Sequence, residues 1–191
     1  MSKRLLAPRR KSSIEKAGIY FWTATINGWR HLLKNDEYKD IIIDSLQHLS
    51  TAGKISVFAF IIMPNHLHHI WRINEPNGKE SPQGSFLKYT AHLFKKKLLK
   101  EDRQKLEAYR VNSSTKYFEF WQRDSLAIPL FTRKVALQKL NYMHMNPLAE
   151  HWQLVKHPCD YKYSSARYYE CNEKNFAFLE DLWEVIWDGL S

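Results

Sequence analysis

Cysteine is scarce in this chain: Cys159 and Cys171 are the only two among 191 residues. Two cysteines are too few for the disulfide framework of a small secreted domain, and they are wrongly spaced for a Cys-x-x-Cys metal or redox motif. A reducing cytoplasm is the expected location. Also lacking is any apolar run near the roughly 18 residues that cross a bilayer, so no membrane partner is expected. The first residues, MSKRLLAPRRKSS, are basic but have neither the continuous apolar segment nor the small-residue cleavage site of a secretory leader. They read as a basic arm over residues 1–18. No internal repeat or low-complexity tract is visible, which leaves one ordinary globular domain as the simplest organisation.

What the chain has is a hydrophobic content of 44%, an aromatic content of 14%, and an excess of positive charge. Lysine and arginine number 29 against 20 acids, a net +9. The excess is unevenly placed: residues 170–191 hold six acids and one lysine, so the remainder has 28 basic and 14 acidic residues, +14. A field of that sign suits a polyanionic partner, although a basic soluble protein without one has the same balance. The expected organisation is the arm, a domain over 19–169, and an acidic helical extension over 170–191.

The patterning alternates strands with helices. IYFWTATI, residues 19–26, is aromatic and β-branched and predicts a strand. NDEYKDIIIDSLQHLSTAG follows with acids in its first turn, apolar Ile42, Leu46 and Leu49 on one side, and Gly53 at the C-terminal cap position, which predicts a helix. KISVFAFIIM and HLHHIWRI are two strand-like runs joined by Pro-Asn, an expected antiparallel hairpin. SFLKYTAHLFKKKLLK predicts a second helix with a basic face. YFEFWQRDSLAIPLF reads as extended chain in which Pro129 favours an edge strand. Thr132 is placed to cap the helix RKVALQKLNYMHMN, which Pro147 ends. The order is β-α-β-β-α-β-α, an α+β sandwich on an antiparallel sheet.

Side chains two apart on a strand share a face, so His66 and His68 point the same way and His69 points the other. Two imidazoles on a rigid strand are either half of a divalent-metal site or a partly buried polar pair. His69 is expected to pack or to face solvent. On the helix that ends at Pro147, Gln138, Tyr142 and Asn146 recur every four residues as a polar stripe. Laid on the sheet, the stripe would let Asn146 offer an amide oxygen to a hard cation. Tyr142 would then bring a phenol oxygen to a phosphate; the alternative is an ordinary core tyrosine. His144 faces elsewhere on that helix.

Together, YFWTATI, FIIMPNHLHHIW, FWQRD, KLNYMHMNPL and DYKYSSARYY, in this order over residues 19–169, resemble the single-tyrosine HUH transposases, in the branch of REP-associated tyrosine transposases. The resemblance implies a ferredoxin-like HUH sandwich with a central antiparallel sheet. It makes His66 and His68 the HUH pair around Leu67, Tyr142 the nucleophile, and Asn146 the third ligand of Mg²⁺ or Mn²⁺. It also implies cutting of single-stranded DNA beside a hairpin through a 5′-phosphotyrosine link, with no nucleotide cofactor, in a monomer or homodimer that is nucleoid-associated when bound to DNA. His69 stands where such proteins more often have an aliphatic residue.

A hairpin substrate with single-stranded flanks requires phosphate contacts and stacking faces. The expected contacts are Lys88, Lys95, Lys96 and Lys97 on the second helix, Arg4, Arg9, Arg10 and Lys11 on the arm, and Arg123 and Arg133. Gln138, Trp121 and Gln122 are supporting candidates, with Trp121 expected in the core first and as a stacking platform second. Two other functions fit the same residues: a hairpin-binding protein that has lost cleavage, and a histidine-metal hydrolase that activates water and does not need Tyr142.

Overall fold

The computed structural model describes residues 18–114, 117–123 and 125–186. The aromatic first run forms β1 (Ile19–Thr25), the sheet's second strand from one edge. Asn35 caps α1 (Asp36–Thr51) by accepting the Glu37 N–H, and Ile42, Leu46 and Leu49 turn inward as their spacing predicts. Gly53 takes the left-handed backbone (φ 67°) that reverses the chain after α1. β2 (Ile55–Ile62) and β3 (His66–Ile73) then form the expected hairpin, its turn closed by the Met63 N–H donating to His66 O at 2.8 Å.

α2 (Pro82–Glu101) buries Phe86, Thr90, Phe94 and Leu98, one residue per turn, and leaves its lysines on the outside. A short α3 (Arg103–Glu107) follows. β4 (Leu126–Pro129) pairs only with β1 and forms the sheet edge, where Pro129 removes no ladder bond that a central strand would need. Thr132 caps α4 (Arg133–Met145) by accepting the Val135 N–H. The sheet order is β2-β3-β1-β4, fully antiparallel.

Every residue of β2 is buried, because the chain after α4 covers its free edge. The Ile62 N–H donates to Tyr163 O, the Ser165 N–H to Phe60 O, and the Glu180 N–H to Val57 O, each at 3.0 Å. α5 (Ala166–Glu170) and α6 (Leu182–Ile186) belong to this covering segment. Phe178, Leu179, Leu182 and Ile186 enter the hydrophobic core, and Phe176 packs edge-on to Phe60. The covered edge leaves no open ladder for another chain to extend. No helix among the described residues is long and apolar enough to cross a membrane.

The pleat divides β1 and β3 between two faces. Trp22, His69 and Trp71 meet Phe86 of α2 on one face. Phe21, Thr23 and Thr25 share the other face with His66 and His68, where Tyr142 of α4 meets the His68 ring. That second face is the one with chemistry on it.

Candidate active site

β3 places His66 and His68 side by side, ring centroids 4.8 Å apart, and β1 runs next to them with Thr25 opposite His66 and Thr23 opposite His68. Both rings are held at Nδ1. The turn residue Asn65 presents Oδ1 to His66 Nδ1 at 2.7 Å; an amide oxygen only accepts, so this nitrogen has the proton and Nε2 keeps its lone pair. Thr23 Oγ1 lies 2.8 Å from His68 Nδ1 and anchors that ring; with the hydroxyl as acceptor, His68 has the same tautomer as His66. His68 Nε2 is buried with no hydrogen-bond partner among the described residues. A buried nitrogen lone pair without a donor costs free energy unless a cation takes it.

Asn146, just past the end of α4, completes a third corner, its side-chain amide 3.5 Å from His66 Nε2. Two ring nitrogens and an amide that can turn its oxygen inward form a three-cornered donor set with open positions, suited to a hard or borderline divalent cation. Burial lowers the His66 pKa to about 4, with His151 adding like-charge repulsion, and burial lowers that of His68 well below its usual range. Both rings are therefore neutral at ordinary pH, the state in which imidazole binds metal.

The three donors are nearly sealed, at 8%, 5% and 9% exposure for His66, His68 and Asn146, whereas Tyr142 is 53% exposed. Its ring stands edge-on to His68 at 5.4 Å and to Phe21 at 6.1 Å. Other tyrosines of the fold spend their hydroxyls on structure: Tyr161 donates to Ile62 O, Tyr163 to Asp40, and Tyr169 to Phe58 O. Lys139, one turn before Tyr142, holds Nζ 5.9 Å from the Tyr142 ring centroid and 5.0 Å from that of Phe21. These groups line a cleft of about 880 Å³, together with Thr25, Trp29, His151 and Trp152.

Trp29 is 60% exposed with φ 56°, a left-handed backbone unusual for a bulky residue, and Asn65 Nδ2 donates to its carbonyl at 3.3 Å. Asn65 thus fixes both a histidine and the tryptophan at the rim. The Trp152 ring lies 6.1 Å from that of His66.

Gln138 is exposed and does not line the cleft; the stripe that reaches it is Lys139, Tyr142 and Asn146. Trp121 lies in the core, its Nε1–H donating to Thr90 Oγ1 at 3.0 Å, and Gln122 is half-buried with its backbone N–H on Thr25 O. His144 turns away from the cleft, bonded to Ser165 at 3.0 Å. His69 is fully buried with neither ring nitrogen partnered among the described residues.

The lysines of α2 stand on the helix layer, across the sheet from the cleft. Lys88 pairs with Glu80 at 2.6 Å, and Lys97 bridges Glu37 and Glu101 at 2.7 and 2.6 Å. Lys95 lies 5.5 Å from the Phe118 ring centroid, and Lys96 is exposed. Arg123 pairs with Glu119, and Arg133 lies over Trp183. Arg4, Arg9, Arg10 and Lys11 lie outside the described residues. Asn65, Thr23, Lys139, Trp29 and Trp152 were not predicted. Only the strand register and the turn bring them to the histidines, although Asn65, immediately before His66 in a Pro-Asn turn, was within reach of sequence reasoning.

No family model matches the chain, and no curated protein does. A solved structure of a REP-associated tyrosine transposase bound to a REP hairpin is similar in fold, with a TM-score of 0.57 at 18% identity, over 86% of this chain and 82% of that one. The α+β architecture, a four-stranded antiparallel sheet with helices packed on it, is common to both.

Proposed function

We propose that the chain is a metal-dependent endonuclease and strand transferase for single-stranded DNA next to hairpins, with Tyr142 as nucleophile. The observation that supports this reading is the convergence of the free Nε2 of His68, the Nε2 of His66 and the Asn146 amide beneath one exposed tyrosine. The similar structure holds a REP hairpin, which agrees with a hairpin substrate here.

Mg²⁺ or Mn²⁺ fits the donor set, and when bound it would offset negative charge developing on a scissile phosphate. The remaining steps belong to the chain's own side chains. Thr23 and Asn65 hold the two rings with their lone pairs outward, so no reorganisation is required at the moment of reaction. The ammonium of Lys139, 5.9 Å from the centre of the Tyr142 ring, brings a positive charge into the cleft that attracts a phosphate. Tyr142 Oη gives up its proton to water in the cleft and forms a bond to phosphorus as the bond to the 3′-oxygen breaks, and that oxygen takes up a proton from water to leave as a hydroxyl. The resulting 5′-phosphotyrosine conserves the phosphodiester, so a new 3′-hydroxyl rejoins the strand without ATP.

Trp29 and Trp152 at the rim give stacking faces for nucleotides flanking the scissile phosphate. Lys95, Lys96 and the basic arm would supply backbone contacts to a hairpin that extends past the cleft. Hairpin oligonucleotides incubated with the protein and Mg²⁺ or Mn²⁺, then run on a denaturing protein gel, test the reading. A DNA-linked band that requires the cation and Tyr142 is the expected result. Tight binding without any linked band, over several hairpins and both cations, would show instead a binding protein on the same fold.

A further inference from the structure

The chain that covers β2 contains a second group of ligating side chains, separate from the cleft. Cys159 sits in the short turn Pro158–Asp160, and Cys171 follows α5; their sulfurs meet in a disulfide. His157, Cys159 and Glu170 each bring a ligating atom within 4.8 Å of the others. We propose that His157, Cys159, Glu170 and Cys171, with the cysteines reduced, form a zinc-class metal site that ties this covering segment to α4.

Three observations favour a shared metal over a permanent bridge. The Cα atoms of Cys159 and Cys171 are 7.1 Å apart, beyond the roughly 4.4–6.8 Å that disulfides usually span. Two thiolates on one tetrahedral zinc, each bonded at about 2.3 Å, sit nearly 4 Å apart and suit a wider backbone separation. The donors are two sulfurs, one imidazole nitrogen and one carboxylate oxygen, a soft set that selects zinc over the hard cations suited to the cleft.

The surroundings are also those of a built site. His144, buried on α4, holds Nδ1 3.3 Å from Glu170 Oε1 and Nε2 3.0 Å from Ser165 Oγ, and so orients the carboxylate from behind. Arg167 donates Nε–H to Cys159 O at 2.7 Å and pairs with Glu173 at 3.6 Å, which fixes the turn that presents Cys159. The Cys159 N–H donates to His157 Nδ1 at 3.3 Å, holding the ring over its own turn. His144 is two residues from Tyr142, roughly 200° round the helix. The metal would therefore fix the nucleophile helix from its far side.

Opening the bridge with a thiol reductant takes up two electrons and two protons and gives two thiols; metal binding then releases those protons as the thiolates form. The test uses the full chain, kept reduced and shown by thiol titration to have both cysteines free, titrated with Co²⁺. One equivalent should produce a thiolate-to-cobalt charge-transfer band and the visible bands of tetrahedral cobalt, both displaced by Zn²⁺. Cys159→Ser and Cys171→Ser should each weaken binding on the order of 100-fold. The double variant His66→Ala/His68→Ala should leave the thiolate-to-cobalt charge-transfer band unchanged. Zn²⁺ should also raise the melting temperature of the reduced wild type, a readout that needs no variant to fold. No charge-transfer band with both thiols free, a band indifferent to the cysteine variants, or a bridge that resists reduction in the folded chain would each overturn the proposal. None of these outcomes touches the assignment of the cleft.

Discussion

His68 and His69 are consecutive residues of one strand, and their surroundings are opposite. His68 is anchored at Nδ1 by Thr23 and opens Nε2 into a cleft beneath an exposed tyrosine. His69 is enclosed by Trp22, Trp71 and Phe86, with neither nitrogen bonded among the described residues. The same side chain is anchored with one nitrogen turned to the cleft on one face of the pleat and is packed among aromatic rings on the other. Residue type and burial are alike, so neither distinguishes them; what does is whether one nitrogen is anchored so that the other is aimed.

That contrast breaks most completely at Tyr142, the proposed nucleophile. Tyr142→Phe should abolish the covalent DNA band while hairpin affinity stays within about twofold, since the half-exposed ring and its contacts with His68 and Phe21 are kept. A covalent band that persists in this variant would move the reaction to water or to another residue. His68→Ala comes next: cation-dependent cleavage should fall by about 1000-fold or more, because the donor set loses a corner. Single-turnover rates across a Mn²⁺ titration measure it.

Thr23→Val tests the anchoring itself. Valine fills similar space but cannot accept the Nδ1 proton, and the cation concentration for half-maximal cleavage should rise about tenfold. An unchanged cation requirement would show that the His68 tautomer is set elsewhere. On the opposite face, His69→Leu should leave cleavage intact and stabilise the fold by about 1 kcal/mol, because two unpaired nitrogens leave the apolar layer. Chemical denaturation gives that difference.

The smallest effect is on pH dependence. Burial lowers the His69 pKa to about 3 and that of His144 to about 4, each from an unfolded value near 6.5. Below pH 6.5 the unfolded chain takes up protons that the folded chain refuses, so stability is full above that pH and declines as pH falls towards 3. His69→Leu should make the decline in melting temperature between pH 6.5 and 4 shallower, while above pH 7 its gain in stability stays constant with pH.

Much of the fold was legible because local rules and tertiary structure agree. The chain reversal at Gly53, the cap at Thr132, the Pro-Asn turn and the edge position of the strand with Pro129 follow from residues that have few other uses there. The acidic terminal segment was less legible. Its charge is what the sequence shows, yet Phe178, Leu179 and Leu182 seat it in the core against the edge of β2. Only the position of that edge gives those three residues somewhere to go.

By itself the sequence determined that His66 and His68 share a face, since the strand period is two and admits no other arrangement. It equally fixed that Tyr142 and Asn146 stand one helical turn apart. Tertiary structure alone decided that the two pairs meet, that Lys139 rather than Gln138 reaches the cleft, and that Cys159 and Cys171 come together. Periodicity sets the direction of a side chain within its own element. Which elements then face one another depends on sheet order and on how α4 lies across the strands, and both are set by burial summed over the whole chain.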